Sequence, residues 1–173
     1  MIDVDQIVEQ LYKTSSDINE HFPTIIKYGS ECEHVTEMGV RGIVSLWGWL
    51  KTKPKKLVAY DYIDPSNWGG NINDVYEAAK QLNVEFEFKI ADTREIVIEE
   101  TDMLFIDTEH TYSQLSTELK LHGNKARKYL AFHDTAWCYE LNVAIEEFQD
   151  QNPHWTTHEV FNNNNGFTVL KRV

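Results

Sequence analysis

Two short segments of this chain gather the side chains best suited to chemistry. The first is Phe105-Ile106-Asp107-Thr108-Glu109-His110-Thr111-Tyr112, an apolar run that stops at an acid and adds Glu and His within the next turn. The second is Ala131-Phe132-His133-Asp134-Thr135, which also ends an apolar run on ionisable groups. If the two runs are neighbouring strands, Asp107 and Asp134 lie close in space. Two carboxylates flanked by imidazoles and hydroxyls suit a hard divalent cation such as Mg²⁺, which prefers oxygen ligands. The same set could hold a general base, with His110 or His133 taking a proton. A structural use stays open too: His133 bonding back to a loop, and Asp134 capping a helix that starts near Trp137.

Three further places carry polar groups of the same kind. Glu37-Met38-Gly39-Val40-Arg41-Gly42-Ile43-Val44-Ser45 follows an apolar run and opens a helical pattern. Glycines at such a turn let backbone approach a ligand, and free helix N–H groups can meet an electronegative atom. Asp61 ends the run Leu57-Val58-Ala59-Tyr60. In dinucleotide-type folds an acid there accepts from ribose hydroxyls, although a helix cap or surface acid fits as well. Asp92 follows a third run and could accept from an adenine amino group or cap a turn. Asp64, just before Pro65, reads as a turn former.

The elements that must hold these groups alternate. Apolar runs at Val35–Met38, Leu57–Tyr60, Phe86–Ile90, Met103–Ile106 and Tyr129–Phe132 are separated by helical stripes. The stripes are Ile72, Val75, Tyr76, Ala79 and Leu82; then Tyr112, Leu115 and Leu119; then Leu141, Ala144, Ile145 and Phe148. Short, nearly continuous strands spaced by amphipathic helices predict a Rossmann-like, doubly wound, mostly parallel sheet covered on both faces. Trp155–Phe161 and Phe167–Leu170, split by Asn-Asn-Gly, predict a C-terminal antiparallel hairpin. Val4, Ile7, Val8 and Leu11 predict an amphipathic helix, and Ile18–Tyr28 a second one that Pro23 breaks or starts. Ligands in such a sheet bind beyond the carboxyl ends of the strands, which is where every acid named above falls.

The 173 residues fit a single domain, with N-terminal helices over residues 1–30 and the sheet over 31–173. A formal net charge of −12 argues against a surface that tracks a polyanion, so neither nucleic acid nor an anionic membrane is an expected partner. The one basic run (Lys51, Lys53, Lys55, Lys56) suits a solvated helix end. Cys32 and Cys138 share no metal-type spacing, and no segment approaches a membrane span or a signal peptide, so the cytoplasm is the expected location.

Taken in order, Glu-x-Gly with a following Gly and Ser, Asp after the second strand, Phe-Ile-Asp-x-x-His-x-Tyr and Phe-His-Asp-Thr resemble class I S-adenosylmethionine (SAM)-dependent methyltransferases. More narrowly they resemble the small-molecule O-methyltransferase group that includes macrocin O-methyltransferase and the cephalosporin hydroxylase-like proteins. The resemblance spans residues 31–173 and includes the Asn-Asn-Gly-Phe-Thr-Val-Leu of the last strand. It implies a seven-stranded sheet and SAM as cofactor. Glu37, Gly39, Gly42 and Ser45 would shape the cofactor loop, with Asp61 on the ribose, Asp92 near the adenine and Asp107 beside the cofactor. Asp107 and Asp134 would hold a divalent metal such as Mg²⁺ in members that use one, with His110 near the substrate. The chain departs from the group at Arg41 and Ile43, which crowd the glycine turn, at Thr108, which replaces a common glycine, and in having no substrate cap.

The reaction so implied is in-line attack of an acceptor hydroxyl, on a small molecule or sugar, upon the sulfonium methyl group. Asp107, His110 and His133 are the candidate catalytic residues, through a metal-lowered hydroxyl pKa or direct proton removal. A non-catalytic interaction or assembly module with the same fold is the main rival, favoured by the crowded glycine turn. A nicotinamide-dependent oxidoreductase would need Gly-x-Gly-x-x-Gly, and the second glycine comes one place late. The first thirty residues suit either a lid or a contact between copies of the chain.

Overall fold

A computed structural model describes all 173 residues. In chain order the elements are α1 (Val4–Lys13), α2 (Phe22–Gly29), β1 (His34–Met38), α3 (Ser45–Lys51), β2 (Lys56–Asp61), α4 (Ile72–Leu82) and β3 (Glu85–Ile90). They continue with β4 (Thr101–Ile106), α5 (Tyr112–His122), β5 (Ala126–His133), α6 (Tyr139–Gln151), β6 (Trp155–Phe161) and β7 (Phe167–Arg172). The strands make one sheet in the order β3-β2-β1-β4-β5-β7-β6. Strands β1 to β5 run parallel, and β7 lies antiparallel to both β5 and β6. The strand order therefore reverses between β1 and β4, and a crevice is expected beyond their carboxyl ends.

Side-chain alternation divides the core. Val35, Leu57, Ala59, Met103, Phe105 and Ala131 face α1 to α4, while Met38, Val58, Leu104, Ile106, Leu130 and Phe132 face α5 and α6. Pro23 lies in the first turn of α2, where its missing N–H is not needed; a 3₁₀ turn, Asn19–His21, precedes it. Thus Pro23 starts the second helix, and Ile18 lies outside it.

Coverage of the two faces is unequal. The β3-to-β4 crossover, residues 91–100, holds no helix, and Ile98, with Ala91 and Ile96 partly buried beside it, packs on the core there. Strand β3 shows why: it alternates Glu85, Glu87 and Lys89 with Phe86 and Phe88, so one face is charged and asks for no cover. The expectation of a continuous apolar strand sheathed on both faces is corrected at this edge. Tyr76 and Tyr112 are likewise not core residues. Tyr76 is exposed, and its hydroxyl accepts from the Phe88 N–H at 2.9 Å, satisfying a donor on the edge strand. Tyr112 donates to Glu147 across the α5–α6 surface.

The two central strands meet at one glycine. Gly39 follows β1 with φ +87°, and a Cβ there would lie 1.9 Å from the Asp107 carbonyl oxygen. The contact follows from the ladder, because the Asp107 N–H donates to Met38 and the Gly39 N–H to Tyr60, each at 2.8 Å. At Gly42 the nearest atom to a Cβ is 3.7 Å away and φ is not left-handed. Gly39→Ala is therefore expected to cost more than about 3 kcal/mol in urea unfolding, and Gly42→Ala less than about 1 kcal/mol.

Candidate active site

Beyond Gly39 the chain makes a tight loop before α3. Arg41 (φ 45°) and Ile43 (φ 62°) adopt left-handed backbone, which is costly for a residue branched at Cβ. Asp61, at the end of β2, holds that loop: its Oδ2 accepts from the Val40 and Arg41 N–H groups, both at 2.8 Å, and its Oδ1 from Ile63 N–H at 3.0 Å. The Arg41 guanidinium lies 5.3 Å from the centre of the Trp68 ring and 3.3 Å from Asp17.

Two clefts open on either side of this loop. The first, of about 450 Å³, is lined by Asp61, Tyr62, Trp68, Ala91, Asp92 and Gln114 among others. The second, of about 630 Å³, is lined by Ser16, Asp17, Ile18, Ser45, His110 and Asp134. Both share Gly39, Arg41, Trp68, Asp107 and Thr108, so the end of β1 and the residues after β4 form the ridge between them.

At the floor of the second cleft the two predicted acids meet through two imidazoles. His110 Nε2 lies 2.7 Å from Asp134 Oδ2 and 3.8 Å from Asp107 Oδ1. His133 Nδ1 lies 3.1 Å from Asp134 Oδ2 and 3.4 Å from Asp107 Oδ1. Its Nε2 faces the backbone carbonyls of Asp17 (2.9 Å) and Asn164 (3.1 Å). Every neighbour of the His133 ring nitrogens is an acceptor, so both nitrogens carry protons. Burial works against that charge, but hydrogen bonds to Asp107 and Asp134 outweigh it and push the pKa up to about 11. His110, bonded to Asp107 and Asp134 and more exposed, is pushed up to about 10. Burial alone would raise the two carboxylates; the imidazoles instead hold both below the usual range.

The other predicted residues divide between lining and support. Gly39 and Asp107 line both clefts, Asp61 and Asp92 the first, and Gly42, Ser45, His110 and Asp134 the second. Glu37 lines neither. It points under α3, fully buried, and accepts a hydrogen bond from the Ser45 hydroxyl, and burial raises its pKa well above the ordinary value. Asp92 accepts three hydrogen bonds from Arg94, through N–H, Nε and the guanidinium. His133, 2% exposed, lies beneath the carboxylates with no free lone pair, which does not suit a base. It does bond back to loops, through Asp17 and Asn164, whereas the Asp134 carboxylate caps no helix: α6 starts at Tyr139, and Asp134 Oδ1 accepts from Asn165 instead.

Sequence reasoning missed the parts that close the second cleft. The Asn-Asn-Gly between the last two strands reads as a hairpin turn, yet Asn164 donates to Ser16 O at 2.7 Å and accepts from Glu20 N–H at 3.0 Å. His21 and Glu20 answer Asn163 from the other side. Asparagine tolerates the left-handed backbone needed at Asn164 (φ 49°) and Asn165 (φ 66°), a signal that the tract was more than filler. The segment around Asp17 is thus a wall of the site.

No protein-family model matches the chain. Among curated sequences, 84 residues are 30% identical to part of the LRR receptor-like serine/threonine-protein kinase RGI5 of Arabidopsis thaliana. The match takes in 49% of this chain and spans only 8% of the kinase, too little to show a family. Solved structures match over nearly the whole chain. The methyltransferase PaMTH1 of Podospora anserina, solved with SAH bound, aligns with a TM-score of 0.64 at 14% identity, over 100% of this chain and 89% of that one. The O-methyltransferase TomG of Streptomyces achromogenes, in complex with SAM, aligns at 0.63 and 13%, over 100% and 91%. A methyltransferase of Geobacter sulfurreducens aligns at 0.67 and 13%, over 99% and 89%. The chain has the class I methyltransferase fold. At these identities the likeness is one of fold, and the expectation of a mostly parallel seven-stranded sheet with a C-terminal hairpin is met.

Within this methyltransferase fold, ligand atoms of Asp107, His110 and Asp134 all lie within 4.8 Å of one another. Two carboxylates and an imidazole fit a divalent cation, provided His110 gives up its proton, because two imidazoliums otherwise neutralise both acids. No helix is long and apolar enough to cross a membrane.

The titration of the cluster has a defined sign. His110 and His133, raised from 6.5, stabilise fully below pH 6.5 and lose that contribution as pH rises towards about 10 and about 11 respectively. Buried His21 and His122, lowered from 6.5, destabilise as pH falls below that value. In EDTA, the melting temperature is expected to fall steadily from pH 7 to pH 10. The alkaline limb should flatten in His110→Gln; an equal slope in that variant would contradict the assignment.

Proposed function

We propose that the protein transfers a methyl group from SAM to a hydroxyl of a small, polyhydroxylated acceptor such as a sugar. The observation that carries this reading is the shared ridge: a donor bound in the first cleft would present its transferable group at Gly39 and Asp107, where the second cleft begins. Asp61 offers its one remaining lone pair to a ribose, and Tyr62 and Trp68 supply flat apolar surface for a base. Ser16, Asp17, Ser45, His110 and Asp134 give the second cleft the hydrogen-bonding groups that a hydroxylated acceptor needs.

In the reaction the acceptor oxygen forms a bond to the methyl carbon as the sulfur–carbon bond breaks. The electron pair passes to sulfur, leaving a neutral thioether. The hydroxyl proton goes to His110 once that imidazole has given up its own, with Asp107 and Asp134 accepting hydrogen bonds that orient the acceptor. His110, charged at rest, orients those carboxylates and becomes a base only after its own proton leaves; His133 keeps them apart and aimed from below. A divalent cation such as Mg²⁺ held by Asp107, His110 and Asp134 would supply a lowered pKa for the bound hydroxyl.

One observation favours the non-catalytic module instead. The Asp61 carboxylate already accepts three backbone hydrogen bonds, and the loop above it carries Arg41 and Ile43 in strained backbone. Calorimetric titration with SAM separates the two readings. Micromolar binding is expected in the unaltered protein, weakened about tenfold or more in Asp61→Asn, which keeps an oxygen for the loop amides but loses an acceptor for the ribose. Absence of binding at millimolar SAM would favour the module. Asp134→Asn is expected to lower methyl transfer about a hundredfold and to abolish any stimulation by Mg²⁺, measured with radiolabelled SAM.

A further inference from the structure

The floor of the first cleft holds a buried polar network that the reaction above does not use. Thr111 caps α5, its hydroxyl accepting from the Gln114 N–H at 3.2 Å. In the usual reciprocal arrangement of Thr-x-x-Gln the glutamine side chain returns to the capping residue's N–H. Here it turns inward. Gln114 Nε2 donates to Glu118 Oε1 at 2.7 Å and to Thr93 Oγ1 at 3.2 Å. Glu118, fully buried, also accepts hydrogen bonds from the hydroxyls of Thr93 and, at 2.8 Å, of Thr108. Having donated to Glu118, the Thr93 hydroxyl can only accept from Gln114. Behind it, buried His122 Nε2 donates to the Thr93 carbonyl at 2.7 Å and fixes that backbone.

Both amide protons of Gln114 are therefore committed, and the orientation of the amide is settled by its partners. Its carbonyl oxygen accepts nothing from the chain, although the residue is only 6% exposed and lines the first cleft. The amide oxygen is thus left to the solvent of the cleft, where a ligand N–H could take the place of water. Asp92, which lines the same cleft, is engaged by Arg94 through three hydrogen bonds.

We infer that Gln114 selects the base of the nucleoside cofactor, its side-chain carbonyl accepting from the exocyclic amino group of a 6-aminopurine. This rests on the cofactor reading given above. The Thr93–Glu118 network acts through Gln114 as a positioning device, holding the amide so that it presents an acceptor and never a donor. A 6-oxopurine would set carbonyl against carbonyl and be rejected.

The test compares binding of S-adenosylhomocysteine with its inosine counterpart, in which a carbonyl oxygen replaces the amino group. The unaltered protein is expected to prefer the adenine form about tenfold or more, and Gln114→Met to bring the two within about threefold. A folded Gln114→Met protein that keeps the full preference overturns the inference while leaving the cofactor reading intact. An unaltered protein that binds neither nucleoside overturns both. Should Gln114→Met fail to fold, a crystal structure of the unaltered protein with S-adenosylhomocysteine decides. The amino nitrogen is expected within hydrogen-bond distance of Gln114 Oε1; its placement on Asp92 or on solvent overturns the inference.

Discussion

The imidazole of His133 is enclosed by hydrogen-bond acceptors from four separate stretches of chain: Asp107 after β4, Asp134 after β5, Asp17 from the N-terminal segment and Asn164 from the β6–β7 turn. A charged ring in so little solvent is tolerable only while all four remain in place. The same contacts set the distance between the two carboxylates and bring the Ser16–Ile18 segment down as a wall of the second cleft. Loss of any one acceptor would loosen the others, since each holds the ring against the rest. The polar floor of the site and the closing of the N-terminal segment are thus one construction.

A second constraint lies a few ångströms away. Parallel pairing of β1 with β4 carries the chain so close to the Asp107 carbonyl that only glycine fits at position 39. The loop that follows has to turn at once, and it does so through left-handed backbone at Arg41 and Ile43, with the Asp61 carboxylate gathering the amides that the turn exposes. The two clefts share a ridge because this loop is held in one position. Asp61 is therefore part of the scaffold before it meets any ligand.

The helix-free crossover between β3 and β4 has a consequence for the first cleft. With no helix intervening, Thr93 packs directly on α5; Thr93 and Gln114 line the cleft, and Glu118 and His122 support them from behind. Burial holds the Glu118 carboxyl above its ordinary range, and the hydroxyl and amide donors around it make that burial tolerable. Charged alternation along β3 is what allows the helix to be absent, since no apolar face there needs cover.

Much of this was legible in the residues alone. Alternation of apolar runs with helical stripes determined the seven strands and their layering, because burial on both faces of a parallel sheet leaves a nearly local imprint. The acids after four successive strands were legible for the same reason: a strand ends where its apolar run ends. Tertiary structure decided what each polar group does. Glu37 and Ser45 serve each other under α3; Asp92 serves Arg94; the asparagine turn clasps the N-terminal segment; and Gln114, unremarkable in a capping pattern, faces a cleft. These outcomes depend on hydrogen bonds between residues far apart in the chain, such as Asn164 with Ser16 and Asp17 with His133. Periodicity records which face of an element is buried; it carries no information about which distant donor a buried acceptor will meet.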